Sequence, residues 1–437
     1  MSRRDSLALL ALIALGLAYQ LPLLQTGVGL IDEGHLANGA RRLAAGEILY
    51  RDVYTVYPPA SFHAVAWLFE LFGTHLQVVR GFHVVLTLAL ALLVFASARR
   101  LMETPFAWLA GALVAATGWH VILEGCHYAY LYGAIPMAGL LCLARADARG
   151  ELERVPLLAV GAWAGLSLAF RLEPFVGLAL AGAAVVTLRE GFGARALVRL
   201  LWLVLGTLAV IVPIGIYYAI EGAFTELLLA VFWTSFGQYL EGGEFNLPMP
   251  SLEWMPAEWS RRGLRRMFIS WEFRIPVLLY GLTILEVARA QWRTRRAPKP
   301  HPPLSPASLQ RLAVALLGLV LYLRATGRSD YYHLAPILFP AYLLGVDALA
   351  RAWRRWIPAR FGGLAYPLVV IVLASSLSLH EFDRAARRSL ERSNEVALTP
   401  GGPYIARADQ TDDLVAEVRR RTRPGEPIVV LPWYPIV

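Results

Sequence analysis

Ala60-Ser-Phe-His-Ala-Val-Ala-Trp-Leu-Phe-Glu-Leu-Phe72 is the stretch on which the topology of this 437-residue chain turns. It is apolar enough to tempt a membrane span, but a helix needs roughly 20 apolar residues to cross the hydrocarbon. Counting it as a span would move every later loop to the opposite side and put the basic clusters outside. It therefore reads as a short helix lying in the membrane interface or dipping into the protein.

Working outward, spans are expected near 7–24, 78–98, 106–123, 128–144, 155–170, 174–188, 198–220, 274–288, 311–324, 333–350 and 364–380. With about eleven spans, the N-terminus and the even loops share one side. That side holds Arg3 and Arg4, Arg99 and Arg100, Arg145, Arg149 and Arg154, Arg189, Arg195 and Arg199, Arg289 to Arg311, and Arg351 to Arg360. An excess of arginine in short loops marks a cytoplasmic face. The first span follows Met-Ser-Arg-Arg and lacks a small-x-small cleavage site, so it reads as an uncleaved anchor.

Composition agrees with this reading. The chain is 57% hydrophobic and only 17% charged, with a mean hydropathy of +0.51, where a soluble domain carries about a quarter charged residues. The net charge of +9 is explained by topology, and no nucleic-acid partner is called for. Cys126 and Cys142 lie in apolar runs and read as small buried hydrophobes. Lys299 is the only lysine, a bias that points to a GC-rich bacterial source.

Residues 1–380 are read as one transmembrane module with two long outer loops, 25–77 and 221–273. The only long inner loop, 289–310, carries the Pro-rich stretch APKPHPPLSP. Trp233, Trp254, Trp259 and Trp271 with Arg261, Arg262, Arg265 and Arg266 read as an amphipathic interfacial helix, or as a lid over a groove. Gly161 and Gly165 read as a helix-packing pair. From 381 to 437 the chain becomes soluble-like: a helix from about Thr411 to Arg421 leads into a strand at Ile428 to Leu431. This reads as the start of a small extracytoplasmic α/β domain that continues past Val437.

No GxxxxGK[ST] loop occurs, so nothing supports ATP-driven transport, and there is no HExxH and no paired CxxC. Polar residues gather instead at the outer face in four places. The first is Asp32-Glu33-Gly34-His35, opening a helix that carries Arg41 and stops at Gly46-Glu47. Adjacent carboxylates beside apolar surface repel, which suits one of them to proton abstraction; the plainer reading is an N-cap followed by a first-turn acid. The second is Arg171-Leu172-Glu173, read as an interfacial ion pair or as a phosphate grip with a carboxylate for sugar hydroxyls. The third, Arg328-Ser329-Asp330-Tyr331-Tyr332-His333, reads as a Tyr-rich interfacial anchor or as a donor-phosphate site. The fourth spans His120, Glu124 and His127, helix-end residues or further ligands, and Arg80 faces the same side.

In the run Tyr50-Arg51-Asp52-Val53-Tyr54-Thr55-Val56-Tyr57-Pro58-Pro59 the first outer loop continues, and here the chain resembles the GT-C superfamily of polyprenyl-phosphate-sugar-dependent glycosyltransferases. Within it, the likeness is to the protein O-mannosyltransferase and aminoarabinose-transferase branch. The resemblance rests on Asp32-Glu33-Gly34-His35, then Gly46-Glu47, then Tyr57-Pro58-Pro59, in matching order and similar spacing. It covers residues 28–75 in detail. The departure is Tyr57, where the family usually has a cation or an imidazole.

The resemblance implies an all-α, GT-C-like fold and an inverting sugar transfer outside the cytoplasm, in a bacterial plasma membrane. It implies Asp32 as the catalytic base with Glu33 beside it, and a polyprenyl phosphate as leaving group. Arg41, Arg171, Glu173, Arg328, Asp330 and His333 become candidates for donor phosphate and sugar, with His35, Tyr57, Glu124 and His127 as secondary ones. Arginine suits that task because its guanidinium binds phosphate oxygens in pairs. No cofactor is called for, although a divalent cation beside Asp32 and Glu33 stays open, and the acceptor is unnamed. The rival readings are a transporter or flippase for a lipid-linked sugar, and a non-catalytic membrane protein of the same fold.

Overall fold

The computed structural model describes residues 3–21, 24, 32–117, 133–234, 255, 258–296, 303–327, 331–379, 396–399, 402–405, 417, 420, 421 and 423. Its helices are α1 (Arg3–Gln20), α2 (Asp32–Ala44), α3 (Ala60–Phe72), α4 (Leu76–Ala98), α5 (Thr104–Thr117), α6 (Ala134–Arg149) and α7 (Arg154–Phe170). They continue as α8 (Leu172–Glu190), α9 (Ala194–Ile220), α10 (Arg261–Glu272), α11 (Ile275–Arg296), α12 (Pro306–Gly327), α13 (Phe339–Trp356) and α14 (Ala365–Leu379). A helix occupies most of the described part of each expected span. By length and composition, five stretches are able to cross a bilayer: Leu76–Ala98, Leu172–Glu190, Ala194–Ile220, Arg262–Arg296 and Pro306–Leu323.

Helix bounds differ from expectation for identifiable reasons. α11 runs to Arg296 rather than residue 288, because arginine stems extend along apolar surface while their heads reach water; the inner loop is correspondingly shorter than 289–310. α13 begins at Phe339 rather than 333. Before it lie one helical turn, Tyr331–Leu334, and a 3-10 turn, Ala335–Ile337. Pro336 and Pro340 lack the N–H that an unbroken helix would use there.

α3 is 13 residues long, about 20 Å, and does not match the hydrocarbon thickness. It buries Ser61, Phe62, Val65, Ala66 and Phe69 and leaves His63, Trp67, Glu70, Leu71 and Phe72 exposed. Its buried face lies on α2, where Gly39 admits the Phe62 ring: a Cβ at that position would sit 2.7 Å from a ring carbon.

The expected arginine side is one end of the bundle. Arg99 bonds Asp5 at 2.8 Å, Arg100 reaches the Ala144 carbonyl at 2.9 Å, and Arg189 takes Asp147 and the Leu304 carbonyl. Arg311 takes the buried Asp347, and Arg354 reaches Glu103. The turns α4–α5, α6–α7, α8–α9 and α11–α12 therefore lie with the start of α1 and the end of α13. Along α4, Arg80 stands 19 residues before Arg99, about 28 Å away, so α2 and α3 belong to the opposite end.

The Gly161 and Gly165 pair packs α7 onto α9. A Cβ on Gly161 would meet the Leu203 carbonyl oxygen at 2.1 Å, and one on Gly206 would meet that of Leu158 at 2.1 Å. Bare backbone on both helices is what allows this approach.

After α14, strands β1 (Val396–Thr399) and β2 (Gly402–Ile405) pair antiparallel. Glu417, Arg420 and Arg421 are helical, joined by ion pairs of Glu417 with Arg420 and with Arg421. The strand expected at 428–431 lies outside the described residues.

Candidate active site

At the α2 end a second apolar core forms under the loop 45–59. Leu36, Ala40, Leu49, Val53, Phe62 and Val65 meet Ile135, Phe170 and Tyr218 there. This core brings α2, α3 and the start of α4 against the α7–α8 junction and the end of α9.

α2 begins at Asp32, whose side chain lies outside what is described. Glu33 is fully buried, as is Arg80 of α4, both at 0% exposure. Arg80 donates from Nε to Oε1 at 2.7 Å and from Nη2 to Oε2 at 2.9 Å. Its Nη1 donates to the Leu24 carbonyl at 2.8 Å. One guanidinium thus ties the chain before α2, and the first turn of α2, to α4. Sequence reading noted Arg80 as a candidate but missed this pairing.

Arg41 is exposed and donates to Asn38 of its own helix at 3.2 Å. Arg42 fixes the helix end instead: its Nε donates to Glu47 at 2.8 Å and its Nη2 to the Asp52 carbonyl at 2.8 Å. The Arg42 guanidinium holds the Glu47 carboxyl below its usual range. Gly46, at φ +93, gives α2 its stop.

The loop closes on itself. Tyr50 takes φ +72, a left-handed conformation uncommon for a side-chain-bearing residue, and its hydroxyl donates to the Tyr57 carbonyl at 2.7 Å. Burial pushes the Tyr50 phenol well above its usual value. Arg51 reaches the Glu221 carbonyl at 3.1 Å, clamping the loop to the end of α9. On α3, His63 Nε2 lies 2.8 Å from the Tyr218 hydroxyl.

His35 sits 3.3 Å from the Thr55 hydroxyl, edge-on to Phe62, and burial lowers its pKa. Thr55 Oγ1 also accepts from the Tyr57 backbone N–H at 3.2 Å. The Arg171 guanidinium stands 5.5 Å over the Tyr57 ring, and its Nε donates to Glu173 at 3.0 Å. Arg171 adopts an extended backbone (φ −166, ψ 152) between α7 and α8, with Glu173 in the first turn of α8. Negative charge is favoured there by the helix dipole.

The structure therefore brings Glu33, His35, Tyr57, Arg171 and Glu173 to one end of the bundle. His333 is buried in the turn before α13. Arg328, Asp330, Glu124 and His127 lie outside the described residues. Among the described residues, no group of three or more His, Cys, Asp or Glu side chains is placed to hold a metal ion.

No known family profile matches the sequence, and no curated protein matches it. Solved structures do match. ArnT from Cupriavidus metallidurans bound to undecaprenyl phosphate is 18% identical with a TM-score of 0.52, covering 87% of this chain and 73% of that one. The Archaeoglobus fulgidus oligosaccharyltransferase complexed with Zn and sulfate gives 13% and 0.57, covering 95% of this chain and 55% of that one. AglB from the same organism, with an inhibitory peptide and a dolichol-phosphate, gives 12% and 0.53, covering 97% and 59%. The chain thus spans a little over half the length of the two Archaeoglobus structures. At these identities the likeness is one of fold alone: this chain shares the helical architecture of these structures.

Proposed function

We propose that this protein is an integral-membrane glycosyltransferase that moves one sugar, with inversion, from a polyprenyl-phosphate donor to an acceptor outside the cytoplasm. The observation that carries the reading is the path from the Asp32-Glu33 helix start, anchored through Arg80, by way of His35, Thr55 and Tyr57 to the Arg171–Glu173 pair at one end of a GT-C-like bundle. Lipid phosphates in the ArnT and AglB structures support the donor class.

In this account Asp32 takes the proton of the acceptor nucleophile as it attacks the anomeric carbon. The bond between that carbon and the phosphate oxygen breaks, and the electron pair leaves with the polyprenyl phosphate. Its growing charge is met by the guanidinium groups of Arg171 and Arg328, with His333 as a further phosphate contact, so no acid has to protonate it. Asp330 orients one of those groups, and Glu173 binds sugar hydroxyls as well as holding Arg171. Glu33 supports Asp32 by fixing the helix start.

The bundle crosses the membrane about eleven times, with the N-terminus and the arginine end in the cytoplasm of a bacterial cell and α2 outside. Residues 1–380 form the catalytic module and residues 381–437 an extracytoplasmic α/β segment.

The test is reconstitution in proteoliposomes with a labelled polyprenyl-phosphate sugar. Release of free polyprenyl phosphate with label on the acceptor supports the reading. Movement of intact donor between leaflets without cleavage would replace it with a flippase, and neither event would leave a non-catalytic protein.

A further inference from the structure

Tyr57 stands where the resembled family usually carries a cation or an imidazole, and the structure puts the Arg171 cation against it. The Arg171 guanidinium lies 5.5 Å from its ring centre, within the range of a cation–π contact. We infer that Tyr57 is a positioning residue for Arg171: its ring backs the guanidinium so that the charge is presented to the donor phosphate. This rests on the glycosyltransferase reading above.

The support under Tyr57 is built from three sides. Its N–H donates to Thr55 Oγ1 at 3.2 Å, its carbonyl accepts the Tyr50 hydroxyl at 2.7 Å, and the buried Pro58 and Pro59 follow it. Thr55 Oγ1 also meets His35 Nε2 at 3.3 Å, on the first turn of α2. A continuous path therefore runs from the helix start at Asp32, through Thr55 and Tyr57, to Arg171. Arg171 is only 8% exposed, and Glu173 engages its Nε.

An aromatic face holds a guanidinium without neutralising it. A second carboxylate in that place would cancel the charge needed at the leaving group, and a lysine would repel Arg171. The ring brings no charge of its own to a guanidinium of the kind that binds phosphate oxygens in pairs.

The experiment is a double-mutant cycle on the full chain in lipid nanodiscs, read as undecaprenyl-phosphate binding, sugar transfer and unfolding temperature. Tyr57→Phe should bind within about twofold of wild type, because the ring remains. Tyr57→Leu should weaken binding by about threefold to thirtyfold, the fold-change equivalent of one cation–π contact. In an Arg171→Ala background, Tyr57→Leu should add less than about twofold, as expected when the two act as one unit. If Tyr57→Leu does not accumulate, Tyr57→Met replaces it, a chain of similar reach without a ring. Equal losses in the Phe and Leu variants, or an undiminished Leu effect without Arg171, would overturn the inference while leaving the transferase reading intact. Wild-type protein that binds no undecaprenyl phosphate would overturn it as well. Coupled binding without sugar transfer would uphold the positioning and remove the transferase reading.

Discussion

Arg80 and Glu33 form a two-pronged ion pair, at 2.7 and 2.9 Å, with neither side chain exposed to solvent. Removing one member leaves a buried charge without compensation, which costs about 3–5 kcal/mol. Arg80→Ala and Glu33→Gln should therefore each lower unfolding stability by about that amount, measured by thermal or denaturant unfolding in detergent. The double variant Glu33→Gln with Arg80→Met should lose less than the sum of the two single changes. Additive losses would mean that the pair does not hold the start of α2.

The α7–α9 contact makes a second prediction. A Cβ on Gly206 would fall 2.1 Å from the Leu158 carbonyl oxygen, a backbone atom that cannot swing aside, whereas Gly281 has open space around it. Gly206→Ala should destabilise by about 1–3 kcal/mol or more. Gly281→Ala should be neutral, or stabilise by up to about 1 kcal/mol through helix propensity. Matched thermal scans of the two variants decide the point.

His35 gives a pH dependence with a defined sign. Burial lowers its pKa below the ordinary histidine value of 6.5, so the folded state favours the neutral ring. Its contribution to stability is complete above the unfolded value. It is lost as pH falls from there toward the lowered folded value, because the unfolded chain binds the proton first. His35→Gln should flatten the stability profile in that window and leave it unchanged above pH 7.5 or so. An unaltered slope below pH 6.5 would contradict the burial argument.

Topology is open to a chemical test. Arg41 and Arg149 are both exposed and belong to opposite ends of the bundle. With Cys126 and Cys142 replaced, a cysteine at 41 should react with an impermeant maleimide in intact spheroplasts. A cysteine at 149 should react only after lysis. The reverse pattern would invert the proposed orientation.

Much of the architecture was legible in the sequence because it follows from solvent alone. Arg99, Arg189 and Arg311 mark one end through loop composition, and residues 60–72 were held out of the spans by length. Gly161 and Gly165 announced close packing, though not that Gly206 and Thr207 of α9 would face them. What stayed hidden were partners set by tertiary closure. Glu33 and Arg80 are 47 residues apart, and Tyr57 is 114 residues from Arg171, so no local periodicity links either pair. The Asp32-Glu33 motif points to Asp32 as the base with Glu33 as a supporting acid at the helix start, and the fold commits Glu33 to an internal cation, Arg80.

The most direct measurement of the central claim is donor turnover by Asp32→Asn in a reconstituted transfer reaction, with donor binding followed in parallel. The account predicts a loss of transfer of about 10²–10⁴-fold, the usual worth of a positioned base, while polyprenyl-phosphate binding is kept. Transfer at the wild-type rate would contradict it.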